Sequence, residues 1–337
     1  MTNPLQILPA ENPRLVVILA FDGVTLTDVS SPTEVFDLTT RYVLPDAAAG
    51  YRVVVTSVDG GPIRTSCGII IQTESVRDVA IRDVDTLLVP GGGPPGDPPI
   101  PGAVVAWLEQ NASGVKRICA ICTGAFLVAA AGLANGRRIT THWDATNVLE
   151  ECFPLSMVER DRLFVRDGNL WSSAGFSAGF DLSLSLVEDD FGYATAIEVA
   201  RLLVVFLKRP GEQTQHSQPL AAQSMRDPDF SKLHAWIANN LTADLSIEVL
   251  AMQVGMTPRT FARRYVEQVR VTPAKTVEAF RTDAAMRRLR EANASLKQVA
   301  RECGFGDEQA LRRAFIRRFG HPPSEESSHS GGRATAA

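Results

Sequence analysis

Cys122 is the residue of this chain best placed for covalent chemistry. A β-branched, apolar run over 115–121 leads into Cys122-Thr123-Gly124-Ala125, and an apolar helical stretch follows. The thiol therefore falls at a tight strand-to-helix turn, the position at which elbow-type enzymes display a nucleophile. Unbonded amides at a helix start favour negative charge, which predicts a depressed thiol pKa. Val89-Pro90-Gly91-Gly92-Gly93 ends the preceding strand, and Gly91 and Gly92 bring further N–H donors toward Cys122 and Thr123. His142 opens the helix after the next strand, so it approaches the same edge. That edge is the carboxyl end of the strands, where open α/β sheets bind ligands. A packed cysteine and a capping histidine fit the same positions, and the residue types alone leave both readings open.

Other chemistry-bearing residues point less far. Cys119-x-x-Cys122 has the spacing of a redox pair, but Cys119 lies inside a strand expected at the centre of the sheet, which favours packing. No second ligand pair accompanies these thiols, so neither a zinc site nor any other metal or cofactor is expected. Asp181 and Glu188, seven apart on one helix, and Asp189-Asp190 read as surface groups rather than an acid/base pair. Cys303 reads as core, and Cys67 and Cys152 carry no readable chemistry. Five cysteines without framework spacing predict reduced thiols.

The elements that must position Cys122 alternate as strand and helix, the signature of βαβ units and a parallel sheet flanked by helices, a flavodoxin-like α/β fold. Strands are predicted over 15–21, 52–58, 86–89, 115–121 and 138–141, with helices over 32–42, 103–111, 123–133 and 143–152. A later strand pair, 157–165 and 169–172, is joined by the Asp167-Gly168 turn. Helices over 177–190 and 194–208 follow, and Arg209-Pro210-Gly211 stops the last one. The expected organisation is an α/β domain over 13–208, a Gln/Ser/Pro/Ala-rich linker over 209–229, an all-helical domain over 230–323 and a disordered tail over 324–337.

The helical domain states one pattern twice. LAMQVGMTPRTFARRY ends at Tyr265 and VARECGFGDEQALRRAF ends at Phe315. Each copy has an alanine in its first helix, a turn glycine (Gly255, Gly304) and an arginine pair in its second helix, as in a helix-turn-helix, whose second helix enters the DNA major groove. Thr257 and Asp307 are the expected N-caps. With Phe261 and Tyr265 facing the core, Arg259, Thr260, Arg263 and Arg264 are left outward. With Leu311, Phe315 and Phe319 inward, Glu308, Gln309, Arg312 and Arg313 are left outward. The first residues of such helices reach base edges; Arg317 and Arg318, further along, are expected at phosphates, and any one of these arginines is equally a solvated surface charge.

Charge supports the pattern. The 337 residues carry net −4, but 259–318 hold 15 Lys+Arg against 7 Asp+Glu. A basic segment on an acidic chain marks where a polyanion docks. No stretch reaches the ~18 uncharged apolar residues of a membrane span, and no secretory signal is evident, so a cytoplasmic location without membrane contact is expected.

Residues 230–323 resemble the DNA-binding domain of the AraC/XylS family, most specifically through ECGFGDEQALRRAF. The family's usual Pro-x-x-Tyr-Arg ending is absent: Ser-Glu-Glu-Ser-Ser follows Pro323, which predicts a weak or missing closing helix. FDGVTLTDVSSPTEVF, VPGGG, ICTGAFLVAAAGLANGRRITTHWD and DGNLWSSAGFSAGFDLSLSLVE resemble the ThiJ/PfpI branch of the class I glutamine-amidotransferase-like superfamily. The combination, with VARLLVVFLKRPGEQTQHS at the junction, resembles the GlxA-type subgroup of AraC regulators. The resemblance implies a reactive Cys122 accompanied by His142 and, as in the isocyanide hydratase branch, participation of Asp28. It also implies a homodimeric regulator of double-stranded promoter DNA, with a small-molecule effector bound near Asp28, Gly91, Gly92, Cys122, Thr123 and His142. The alternatives are a cysteine-dependent enzyme carrying a fused DNA-binding domain, and a thiol sensor.

Overall fold

The computed structural model describes residues 13–44, 50–205, 208–215, 228–269, 271–290, 295–319 and 322–324. These form two compact units, divided between Gln215 and His216.

The first unit is an α/β layer structure. Strands β1 (Arg14–Leu19), β2 (Tyr51–Ser57), β3 (Gly61–Arg64), β4 (Ile70–Ser75), β5 (Val84–Val89), β6 (Arg117–Ile121), β9 (Phe164–Asp167) and β10 (Leu170–Ser173) form one sheet in the order β3-β4-β2-β1-β5-β6-β10-β9. Every pairing from β4 to β10 is parallel, and the two outermost pairings are antiparallel hairpins. The near-continuous burial of β1, RLVVIL, is what a parallel strand covered on both faces requires. A separate two-stranded piece pairs β7 (Arg138–Ile139) with β8 (Met157–Val158).

Helices α1 (Leu26–Leu38), α2 (Gly102–Asn111), α3 (Gly124–Ala130), α4 (Thr146–Cys152), α5 (Ser177–Phe191) and α6 (Tyr193–Leu202) flank the sheet. Three expectations are corrected by this arrangement. Helix α1 starts at Leu26 rather than at Pro32, because Pro32 is tolerated inside it, and this puts Asp28 in its first turn. The hairpin Gly61–Ser75, absent from the expected strands, is a sheet edge whose Ile69 and Ile70 are exposed, so no buried alternation announces it. Helix α6 stops at Leu202 instead of 208, with Val204 at φ +55°.

Beyond that stop the side chains are committed elsewhere: Lys208 pairs with Glu188 and Arg209 with Asp181. Asp181 is thus a buried ion-pair partner, not the surface group expected, and burial raises its pKa against the pull of Arg209. Residues 209–215, read as the start of a linker, pack on the first unit: the Leu163 amide donates to the Gly211 and Gln213 carbonyls, each at 3.0 Å.

The second unit is helical: α7 (Pro228–Asn239), α8 (Ile247–Gln253), α9 (Pro258–Val269), α10 (Pro273–Arg290), α11 (Leu296–Glu302) and α12 (Glu308–Phe319). It has two apolar cores. One gathers Phe230, Leu250, Phe261, Tyr265 and Phe280; the other gathers Met286, Leu289, Val299, Leu311 and Phe315, so α10 serves both. The remainder of the expected linker (216–227) and all of the expected tail beyond Ser324 lie outside the described residues. Among the described residues no helix is long and apolar enough to cross a membrane.

Candidate functional site

Cys122 stands between β6 and α3 with φ +57°, a left-handed conformation that costs a residue with a Cβ about 1–2 kcal/mol. Its surroundings hold it there. The Cys122 amide donates to the Ser173 carbonyl at 2.9 Å, and the Thr141 hydroxyl donates to the Cys122 carbonyl at 2.9 Å. Gly175, itself at φ +83°, backs the thiol; a Cβ there would overlap Cys122 Cβ and lie 2.8 Å from its Sγ. The Gly91-Gly92 loop closes the other side. Gly92 N–H donates to Thr123 Oγ1 at 2.9 Å, and that hydroxyl donates back to the Gly92 carbonyl at 3.0 Å. The Gly92 donor expected to serve a ligand is therefore spent on Thr123.

Asp28 is fully buried beside the thiol, and its Oδ1 accepts from the Phe176 amide at 2.9 Å. Burial lifts its pKa to about 6, against the backbone amides of Phe176 and Gly91, which lower it. The Cys122 thiol is pushed well above its ordinary range, first by burial and then by the Asp28 charge. This corrects the expectation of a depressed thiol pKa: α3 is only seven residues long and its amides are outweighed. Both shifts disfavour charge at the elbow: the thiol is held in its neutral form beside a carboxyl whose ionisation burial opposes. Among the described residues, the buried Ser31 Oγ and Ser173 Oγ have no hydrogen-bond partner, as expected of a site that receives a polar group or water. Cys119, wholly buried, is raised to about 12, which fits packing.

His142 is half-buried; its Nδ1 accepts from the Asp144 amide at 3.3 Å and its ring lies 5.3 Å from Trp143 and 6.0 Å from Phe176. Trp143 and Phe176 are each about half exposed, and Phe176 has φ +46°. The structure thus brings Asp28, Gly91, Gly92, Cys122 and Thr123 together and places His142 in an aromatic lip that touches Asp28 through the Phe176 backbone. Sequence reasoning missed Gly175, Phe176 and Trp143. The one available signal was the repeated Ala-Gly-Phe between a strand and a helix, where a pair of glycines marks close backbone approach.

In the second unit both copies close their turn in the same way. Met256 N–H donates to Ala251 at 2.9 Å, and Phe305 N–H donates to Ala300 at 2.8 Å. Gly255 and Gly304 have φ +64° and +77°. Thr257 Oγ1 accepts from the Thr260 amide and Asp307 Oδ1 from the Ala310 amide, so both caps form. On α9, Arg259 and Arg263 are exposed while Thr260 and Arg264 are half-buried; on α12, Gln309, Arg312 and Arg313 are exposed and Glu308 half-buried. Arg317 and Arg318, expected at phosphates, pair with Glu278 at 2.6 Å and Asp283 at 2.8 Å on α10. Arg281 of α10 donates to the Leu241 carbonyl at 2.9 Å, and a Cβ on Gly304 would overlap that same oxygen. Both helix-turn-helix units are thereby keyed to one helix and one carbonyl.

Residues 14–189 match the DJ-1/PfpI family, and residues 250–328 match a helix-turn-helix domain. The HTH-type transcriptional regulator CdhR of Pseudomonas aeruginosa is 29% identical over 276 residues, covering 82% of this chain and 81% of that protein. Isonitrile hydratase of Pseudomonas putida is 30% identical over 161 residues, 48% of this chain and 68% of the enzyme. Among solved structures, an AraC family transcriptional regulator from Pseudomonas putida matches 57% of this chain and all of its own length, with a TM-score of 0.50 and 20% identity, a likeness of fold. The chain belongs to the DJ-1/PfpI family, with that domain followed by a helix-turn-helix domain.

Proposed function

We propose that this protein is a sequence-specific, DNA-binding transcriptional regulator. Its DJ-1/PfpI unit binds a small effector at the Asp28–Cys122 elbow beneath the His142/Trp143/Phe176 lip and joins two copies into a homodimer. The observation that carries the reading is the doubled turn, with Met256 on Ala251 and Phe305 on Ala300, each presenting a capped helix with outward arginines. The likeness to a named regulator, over 82% of this chain and 81% of that protein, supports it. On this reading α9 and α12 contact bases through Arg259, Thr260, Arg263, Arg264, Glu308, Gln309, Arg312 and Arg313. A gel-shift screen of the intergenic DNA flanking the gene tests it: a specific retarded fragment is expected at modest salt, and none at any fragment would refute it.

A second reading has its own support, because the strained elbow, the Asp28 partner and the likeness to isonitrile hydratase all suit a cysteine-dependent enzyme. Cys122 Sγ would bond to the isonitrile carbon while Asp28 carries the thiol proton to that carbon; water would then add to the resulting thioimidate, and cleavage of the C–S bond would release the formamide and return the proton to the thiol. Turnover of an isonitrile, lost in Cys122→Ser, would establish it. Unaltered promoter response in the same variant would separate that chemistry from regulation. A thiol sensor would instead show operator binding that peroxide changes in wild type and not in Cys122→Ala.

A further inference from the structure

Residues 209–215 lie beyond the matched DJ-1/PfpI segment and are the last described residues of the first unit. They are not a loose tether. The Arg209 amide donates to Asp181 Oδ1 at 2.7 Å, and its guanidinium grips Asp181 Oδ2 at 2.6 and 3.0 Å. Gly211 and Gln213 carbonyls receive the Leu163 amide, and the Glu212 carbonyl receives the Arg162 guanidinium at 2.8 Å. At the far end the Gln215 amide donates to Asp161 Oδ1 at 2.9 Å.

Two hydrogen-bonded arms run from this strap to the elbow. In the first, Gln215 Nε2 donates to the Thr141 carbonyl at 2.9 Å and to the Arg162 carbonyl at 3.0 Å, while its Oε1 accepts from the Trp143 amide at 2.8 Å. Thr141 in turn holds the Cys122 carbonyl through its hydroxyl. In the second, Arg209 Nη2 donates to Ser177 Oγ at 3.0 Å. The preceding residue is Phe176, whose strained amide holds Asp28. One arm therefore ends on the backbone of the thiol and the other on its carboxylate partner. Between them they frame the lip on both sides, at Trp143 and at Phe176-Ser177.

We propose that residues 209–215 are an output strap, which converts occupancy of the Asp28–Cys122 elbow into a change in the segment entering the DNA-binding unit. This rests on the regulator reading above. In this proposal a ligand seated between Phe176 and His142-Trp143 shifts the Trp143 amide or the Phe176-Ser177 backbone, the two places where the arms end. Either movement is felt directly by Gln215 or Arg209. Coupling of this kind is reciprocal, so loosening the strap must loosen the elbow even with no ligand present.

The test uses the full-length protein and iodoacetamide as the probe, with alkylation read by mass spectrometry on the Cys122 peptide. Gln215→Ala and Arg209→Lys are expected to speed Cys122 alkylation by about 3- to 30-fold relative to wild type. The control Glu198→Gln, on the α6 surface, leaves the rate unchanged. A melting temperature for each variant shows that it remains folded, and Arg209→Lys keeps the Asp181 charge pair while losing the prong on Ser177. In the same proteins, Gln215→Ala shifts affinity for the retarded operator fragment by about threefold or more. Unchanged alkylation in both variants overturns the coupling. Faster alkylation with unchanged operator affinity overturns the output role. Failure of wild type to retard any fragment counts instead against the regulator reading itself.

Discussion

Cys122 and Asp28 are held in conditions that the fold alone would not choose. The cysteine carries a left-handed backbone, and the carboxylate is fully buried beside it. Burial raises Asp28 from its ordinary 3.8 to about 6, so its ionised form costs the folded state. The stability contributed by the neutral acid is complete below about pH 4 and is lost as pH rises through 6. Asp28→Asn is therefore expected to stabilise the protein above pH 6 by up to about 3 kcal/mol, a gain that fades toward pH 4. Melting curves across that range check it, and a loss of stability at pH 7.5 would contradict it. The same substitution removes the charge that opposes the thiolate, so Cys122 alkylation at pH 8 should accelerate; an unchanged or slower rate would show that Asp28 does not set the thiol's state. Cys122 was legible because strand, Cys-Thr-Gly and helix adjoin in sequence. Its high pKa was not, because burial depends on Gly175 and Asp28, which arrive from distant segments.

Elements differ in how far their sequences predict them. The central strands were legible from continuous β-branched runs, whereas the exposed Gly61–Ser75 hairpin and the early stop of α6 depend on an edge position and on ion pairs to α5. The two turn glycines look equivalent in sequence and are not equivalent in structure. Gly255 needs only its positive φ, with open space around it, while Gly304 also abuts the Leu241 carbonyl. Gly255→Ala should cost about 1 kcal/mol, and Gly304→Ala at least about twice that. Urea unfolding of the two variants compares them, and equal costs would deny the close approach. The arginines of α12 divide likewise. Arg312→Ala is expected to weaken operator binding by about 10- to 100-fold. Arg317→Ala breaks only a largely exposed pair with Glu278 and should change it less than about threefold. The reverse order, read by gel shift, would restore Arg317 to the phosphate role that its position first implied.

At the scale of the whole chain, an acidic α/β unit is joined to a basic helical one. The doubled motif and the charge contrast make this division legible from residue order, since both are local properties of the chain. The strap was hidden, because its Pro-Gly and Gln-rich composition reads as linker and its contacts are mostly to backbone. Affinity for the operator should fall steeply with salt, with a slope of log affinity against log salt of about −4 or steeper, as phosphate contacts from two helices require. A shallow slope would mean that the basic face is not the one that docks. On the proposed function, both helix-turn-helix units of one polypeptide read DNA. Hydroxyl-radical footprinting of the retarded fragment tests it most directly, with wild type, Arg263→Ala and Arg312→Ala compared. Two protected backbone segments per protomer are expected, about 10 base pairs apart, each substitution erasing one of them. A single protected segment that survives Arg263→Ala or Arg312→Ala unchanged would contradict it.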